Sequence, residues 1–487
     1  MNATPCSCEL RATAGPSCVE SSACGCAASR ARGFCRPAAT VLLLAFAPAA
    51  ALANSDPLTG VLSAPGGAGL GTAWRFERSP YRGAGTRVDF VPLYLYEGKY
   101  AYLHAYRIGL KLDTGPKHRF DVFLSHRFEG FPYDRVPPSL AGMAERQPGL
   151  DFGASYERRG AWGAAYAELL HDAIDASGGT ELRLGYRRDW RLGALTLRPH
   201  AMLALRDARL NDYYYGVPPS EATAARPAYA PGAGANAQLG LYGTYPLSER
   251  WRLLAGVSAT RWARAVRSSP IVNDRFETAA MLGLMYDFSP GHEAWPEKRP
   301  LYVKAYYGKA TECDVLKVVR LACTSTATPE QTRVGALEIG RPFVERLNGW
   351  PLDVVGYVGL LRHEEKGYQP DSIQLNAYMK GYWYGFPWDG WVRTRVGLGV
   401  GVSYAQRVPF IEARDQARRG RNASELLNYL DPSIDFSIGD LLRVRSLKKT
   451  YLGFGVSHRS GIFGTSQLLG NVDGGSNYIY TYIEQEM

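Results

Sequence analysis

The stretch VRTRVGLGVGVSY, residues 392–404, alternates without a break. Val392, Thr394, Val396, Leu398, Val400, Val402 and Tyr404 fall on one side, and Arg393, Arg395, Gly397, Gly399, Gly401 and Ser403 on the other. A period of two marks an extended strand, whose successive side chains point to opposite faces. Aliphatic residues on one face and Arg with Gly on the other suit a strand standing between lipid and a polar lumen. A soluble sandwich with its apolar face turned inward produces the same period, so the rest of the chain must separate the two.

The alternation recurs. ELRLGYR sets Leu182, Leu184 and Tyr186 against Glu181, Arg183, Gly185 and Arg187. AYLHAYRIGLKL, read as one strand over 101–112, puts Tyr102, His104, Tyr106, Ile108, Leu110 and Leu112 opposite Ala101, Leu103, Ala105, Arg107, Gly109 and Lys111. Breaks such as Asp113-Thr114-Gly115-Pro116 and Ser177-Gly178-Gly179 separate most of these segments. Beyond the first 53 residues no apolar run approaches the roughly 18 residues that a membrane helix needs. With 31 Tyr, 10 Trp and 53 Gly at a mean hydropathy of −0.22, the expected class is all-β, as transmembrane antiparallel β-barrels. Counting segments predicts roughly 10–12 strands in the first half and about 8 in the second.

Residues 1–53 differ from the rest of the chain: they hold six of the eight cysteines and the apolar run AATVLLLAFAPAAALA. Four Arg, that run and Ala51-Leu52-Ala53 predict a secretory signal cleaved before Asn54. Removing its four Arg and two Glu lowers the formal charge from +10 to +8. For an exported chain this mild excess disfavours nucleic acid and favours outer-membrane lipid or lipopolysaccharide as partner. Only Cys313 and Cys323 remain, and their spacing in ECDVLKVVRLAC reads as a disulfide, with a metal pair as the weaker alternative. No residue set calls for a cofactor or a metal.

A boundary falls in the middle. ETAAMLGLMYDF ends on Phe288, and Pro290, Pro296 and Pro300 then preclude a continuing strand. This predicts a barrel over 54–289, a linker over 290–300 and a second barrel over 301–487; one barrel of about eighteen to twenty strands is the alternative. The polar segment 412–430 reads as a surface loop with a helical turn, with simple disorder as the alternative, and RHEEKG around His363 as a solvated turn. Parity puts Arg107, Arg393 and Arg395 in a lumen, paired with Asp or Glu.

Three blocks of the first half, SPYRGAGTRVDFVPLYLYEGKYAYL, YYYGVPPSEATAARPAYAPGAG and SSPIVNDRFETAAMLGLMYDF, resemble the MltA-interacting protein/OmpV family over about residues 70–288. The resemblance implies an outer-membrane barrel, as envelope scaffold or porin-like protein, with a murein hydrolase or synthase as partner and no catalytic residues. Taken singly, Tyr213, Tyr214 and Tyr215 read as an aromatic belt beside a turn.

On TYLGFGVSHRS, Leu452, Phe454, Val456, His458 and Ser460 share the apolar face. A Ser becomes a nucleophile when a neutral imidazole within reach takes its proton. The bland reading is a strand leaving the hydrocarbon, its His and Ser bonded to headgroups or water. SHRSGIFGTSQLLGNVDGGSNY is similar to the motif of the lipid A 3-O-deacylase (PagL-type) family, eight-stranded barrels of the outer membrane. That resemblance implies Ser460 as nucleophile and His458 as general base in an ester hydrolase acting on lipid A or phospholipid. The group orienting the His would be Asp473, chemically the stronger choice, or Asn477. The family's Asn after the nucleophile is Gly461 here, so backbone N–H groups would have to supply the oxyanion hole.

Overall fold

A computed structural model describes residues 56–62, 67–131, 136–273, 275–288 and 299–487. The expected signal segment 1–53 and most of the expected linker 290–300 lie outside the described residues. The first strands are Gly67–Arg78 (β1), Thr86–Glu97 (β2), Ala101–His104 (β3), Arg107–Thr114 (β4), His118–Arg127 (β5), Gly149–Gly160 (β6) and Gly163–Asp172 (β7). They continue with Thr180–Arg187 (β8), the short Trp190–Leu192 (β9), Leu195–Arg206 (β10), Gly234–Pro246 (β11), Trp251–Arg261 (β12) and Phe276–Asp287 (β13). All neighbours are antiparallel, β13 pairs with β1 and β10 with β11, so twelve strands close a barrel and β9 only flanks β10.

A second closed barrel holds eight strands: Tyr302–Thr311 (β14), Arg333–Val344 (β15), Leu352–Glu364 (β16), Ser372–Trp383 (β17), Thr394–Ala405 (β18), Leu426–Ser437 (β19), Thr450–Ser460 (β20) and Asn477–Glu486 (β21). Both barrels are therefore complete, and the single large barrel is ruled out. Closure removes the unpaired sheet edges that neither lipid nor water could satisfy inside a bilayer.

From Arg395 onward parity along β18 is as read: Val396, Leu398 and Tyr404 are exposed, whereas Arg395, Gly397, Gly399 and Ser403 are buried. Thr394, placed on the outward face, is buried at the strand's start, where it accepts from Trp388 Nε1 (3.0 Å). Arg395 pairs inside with Asp435 (2.8 Å) and Glu484 (2.7 Å). Arg107 pairs with Glu168 (2.9 Å) in the first lumen. Arg393 departs from expectation, because it precedes β18 and bonds Asp440 (2.8 Å) at the strand end. A buried charge is tolerated only when paired and hydrogen-bonded, and the inner faces are built that way.

Three other readings are corrected. AYLHAYRIGLKL is a hairpin, with Ala105 at φ +53° between β3 and β4. His104 then lies opposite Arg107, so the faces shift by one position: Tyr102 and His104 turn inward, Ile108 and Leu110 outward. Within 412–430 a helix spans Phe410–Arg419 and β19 begins at Leu426. Glu412 of that helix is buried against Arg459 (3.0 Å), so the segment caps the second barrel from within. His363 is buried at 1% exposure and bonded to Gln374 (2.9 Å), not part of a solvated turn.

Long loops gather at one end of each barrel and shorter turns at the other. In outer-membrane barrels the long loops face outward and the short turns the periplasm, which orients both.

Candidate functional site

The three blocks singled out in the first half meet at the loop end of the first barrel. Asp207 caps the helix Ala208–Tyr215 by accepting from Leu210 N (2.9 Å), which aims Tyr214 and Tyr215 down into the mouth. Tyr81 stacks on Tyr215 with centroids 5.5 Å apart and donates to the Tyr214 carbonyl (3.0 Å). Ser269 donates to the Tyr215 carbonyl (2.6 Å), and Arg82 N bonds the Ile271 carbonyl (2.8 Å). Tyr214 and Tyr215 are thus the core of a lid, not a membrane belt; with Trp262, Val266 and Phe131 they form one buried cluster. Burial drives the phenols of Tyr81 and Tyr215 far above their ordinary range, and the Glu129 carboxylate adds to this, so they act as neutral donors.

Beneath the lid lies a cavity of about 260 Å³ lined by Arg87, Glu129, Arg206 and Glu277 among others. Its floor is blocked by the segment 56–62. Leu58 and Val61 pack in one cluster with Leu254 and Met285, and Asp56 accepts from His104 (2.5 Å), whose other ring nitrogen meets Glu97 (2.7 Å).

A second feature has no signature along the chain. Because the β3–β4 hairpin is short, β2 pairs with β3 only over three positions, Leu95 to His104, Tyr96 to Leu103 and Glu97 to Tyr102. The upper part of β2, 86–94, has β1 on one side and no strand on the other. The loop 461–476 of the second barrel fills this notch. Phe90 N donates to the Thr465 carbonyl (2.9 Å), and Gln467 Nε2 donates to the Phe128 carbonyl (2.8 Å). Leu468, Leu469 and Val472 are buried in one cluster with Val91, Leu93 and Leu95 of β2. The loop is held at a cost: Ile462 and Phe463 sit at φ +53° and +55°, a region that side chains, β-branched ones above all, rarely enter. The side chains of Ser466 and Asn471 are buried without hydrogen-bond partners among the described residues.

His458 and Ser460 stand at the root of this loop, on the outer face of β20. Asn477, opposite His458 on β21, donates through Nδ2 to the Cys313 carbonyl (3.1 Å), so its Oδ1 faces His458 Nδ1 (2.6 Å). That bond requires the proton on Nδ1 and leaves Nε2 as the basic nitrogen. Cys313, joined to Cys323 by a disulfide with Cα atoms 5.7 Å apart, anchors the chain of contacts. Ser460 Oγ accepts from Ile462 N (3.3 Å) and does not bond His458. Asp473 lies apart from the pair and bridges to Arg421 (2.8 Å) at the surface. At Gly461 an added Cβ would fall 2.0 Å from the Val472 carbonyl oxygen, so no larger residue fits.

Sequence reasoning missed Asn428. It lies directly across from Ser460 on β19, on the outward face, and accepts from the Tyr94 hydroxyl of the first barrel. Ser460 therefore opens onto the seam between the barrels. Cross-strand pairing depends on register, which single-strand parity does not reveal.

Residues 70–288 match the family described as MltA-interacting protein MipA. Outer membrane protein Omp26La of Vibrio anguillarum is 31% identical over 177 residues, covering 36% of this chain and 68% of that protein. Putative outer membrane protein YiaT of Escherichia coli K12 is 24% identical over 227 residues, 45% of this chain and 90% of YiaT. The MltA-interacting protein of Escherichia coli K12 is 25% identical over 232 residues, 47% of this chain and 93% of that protein. The family match ends at the last strand of the first barrel and lends the second barrel no support.

Proposed function

The chain belongs to the MltA-interacting protein MipA family and is an outer-membrane β-barrel protein, and from that premise we propose that it is a non-conducting envelope scaffold whose periplasmic side docks a murein hydrolase. The observation that carries this reading is the obstruction of both lumens. Segment 56–62 and the loop lid occupy the first. In the second, Lys304, Glu338, Lys380 and Asp431 are fully buried among stacked tyrosines. A water-filled porin needs a continuous polar path down its axis; a lumen closed at mouth and floor, or packed throughout, leaves the surfaces to do the work. The purified protein in planar bilayers is expected to give no unitary current steps, and cross-linking in intact envelopes is expected to capture a murein hydrolase. Steady conductance, or cross-linked material free of hydrolase, would overturn the proposal.

The His458–Asn477–Cys313 chain favours a second reading, an ester hydrolase acting on lipid A or phospholipid at the outer rim of the second barrel. In it Ser460, after a change of its own rotamer, attacks the ester carbonyl while His458 Nε2 takes its proton and returns it to the departing alkoxide. Water, deprotonated by the same imidazole, then cleaves the acyl-serine to free fatty acid and serine, and Asn477 rather than Asp473 holds the imidazole. The Asn428 amide, whose oxygen is already engaged by Tyr94, would turn its nitrogen to the oxyanion that Gly461 cannot serve. Ser460→Ala should then reduce acyl release by roughly 10³-fold or more. Mass spectrometry of lipid A and phospholipids from cells with and without the gene is the test; identical acylation patterns would sink this reading.

A further inference from the structure

The outer faces of the two barrels enclose an apolar cleft of about 560 Å³. Leu110, Leu124 and Phe152 line one wall, and Ile339, Val358 and Val400 the other. The barrels touch above it through the loop 461–476. They also touch below it, where Tyr96 stacks on Phe343 at 5.4 Å and Asn348 Nδ2 donates to the Tyr286 hydroxyl (2.9 Å). Among these greasy walls stands one cation. Arg341 follows Leu337 and Ile339 on the outward face of β15, is exposed, and makes no ion pair among the described residues. It is three residues from the periplasmic end of its strand and close enough to Tyr96 to interact with it electrostatically.

We propose that this cleft binds one glycerophospholipid of the periplasmic leaflet, its phosphate held by Arg341 and the Tyr96 hydroxyl and an acyl chain lying between the barrels. An apolar cleft in a membrane does not stay empty, because lining atoms without neighbours lose their dispersion contacts, and water has no partners there. Only hydrocarbon fits both conditions. A guanidinium on a lipid-facing wall is costly unless it reaches the headgroup level, where a phosphate oxygen pair matches its fork of N–H donors. The height of Arg341 chooses the leaflet: the periplasmic leaflet supplies phospholipid, whereas lipopolysaccharide would bind at the opposite, loop-bearing end. Apolar walls with a single cation at one end match one acyl chain and one headgroup better than a protein segment, whose backbone polar groups would go unsatisfied.

Native mass spectrometry of the full protein extracted in a mild non-ionic detergent tests this, with phosphatidylglycerol added as probe after delipidation. One bound phospholipid is expected on the unaltered protein. Arg341→Gln should weaken binding of the probe by about tenfold or more through loss of charge-assisted bonds, and Arg341→Lys should restore part of it. Val358→Trp should expel the lipid by filling the cleft while Arg341 is intact. Heat-modifiable mobility on gels checks that each variant is folded. Equal retention in Arg341→Gln and Val358→Trp, or recovery of lipid A in place of phospholipid, would overturn the proposal.

Discussion

Asp431→Ala is expected to destabilise the second barrel by about 3–5 kcal/mol, the range for leaving a buried charge without its partner. One oxygen of Asp431 accepts from both Lys304 (2.9 Å) and Lys380 (2.8 Å), and its other oxygen is engaged by the Tyr480 hydroxyl. All three charged side chains have 0% exposure. Lys304 keeps Glu338 at 3.2 Å in the variant, whereas Lys380 is left with no other carboxylate within ion-pair distance among the described residues. The check is the urea midpoint of the protein folded in lipid vesicles, read by heat-modifiable mobility. Replacing the whole buried set together, Lys304→Met and Lys380→Met with Asp431→Leu and Glu338→Gln, should cost far less, because neither Lys304 nor its two carboxylates are then left as orphaned charges. An unchanged midpoint in Asp431→Ala would show that water reaches this lumen after all.

The second large effect is at the seam. Leu469 has 0% exposure within the cluster that joins Leu468 and Val472 to Val91 and Leu93. Leu469→Asp would place an unpaired carboxylate inside that apolar cluster, and the loop should leave the notch rather than bury the charge. Each barrel closes through its own strand ladder, so both should remain folded. The lumenal side of β2 should become reachable: a cysteine at Val91, which is 2% exposed, should react at least about tenfold faster with a membrane-impermeant maleimide in the Leu469→Asp background. Unaltered labelling, with heat-modifiable mobility retained, would mean that the loop is not what closes the wall. The strained Ile462 and Phe463 and the unsatisfied polar groups of Ser466 and Asn471 make this loop cheaper to release than its buried leucines suggest.

Much of this was legible in the chain. Period-two runs such as 392–404 and 181–187 mark strands and their faces, since the alternation of Cβ directions leaves no freedom once a segment is extended. The break at Phe288 marks where the first barrel ends. The inward Arg residues were predictable for Arg107 and Arg395 because a buried guanidinium needs a carboxylate, although which carboxylate was not. The hairpin hidden in AYLHAYRIGLKL was missed because its turn, Ala105-Tyr106, lacks the Gly, Asn or Asp that such turns favour. Once 104 faces 107, parity slips by one, and a single-strand reading assigns half the residues to the wrong side.

The site divides along the same line. His458 and Ser460 were found on one face of β20 from the order of residues alone. Their surroundings depend on other strands: Asn477 beside His458 through β21, Asn428 across from Ser460 through β19, and Tyr94 reaching in from the first barrel. The sequence by itself determined what is periodic and local, namely the strands, their greasy and polar faces, and the need for a closed wall; that there are two walls and not one was decided by strand pairing. Only the tertiary structure decided the notch in the first wall, the loop that fills it, the lid built from three distant blocks and the cleft between barrels. These arise from strand register and long-range packing, where residues hundreds of positions apart become neighbours and no periodicity along the chain records the meeting.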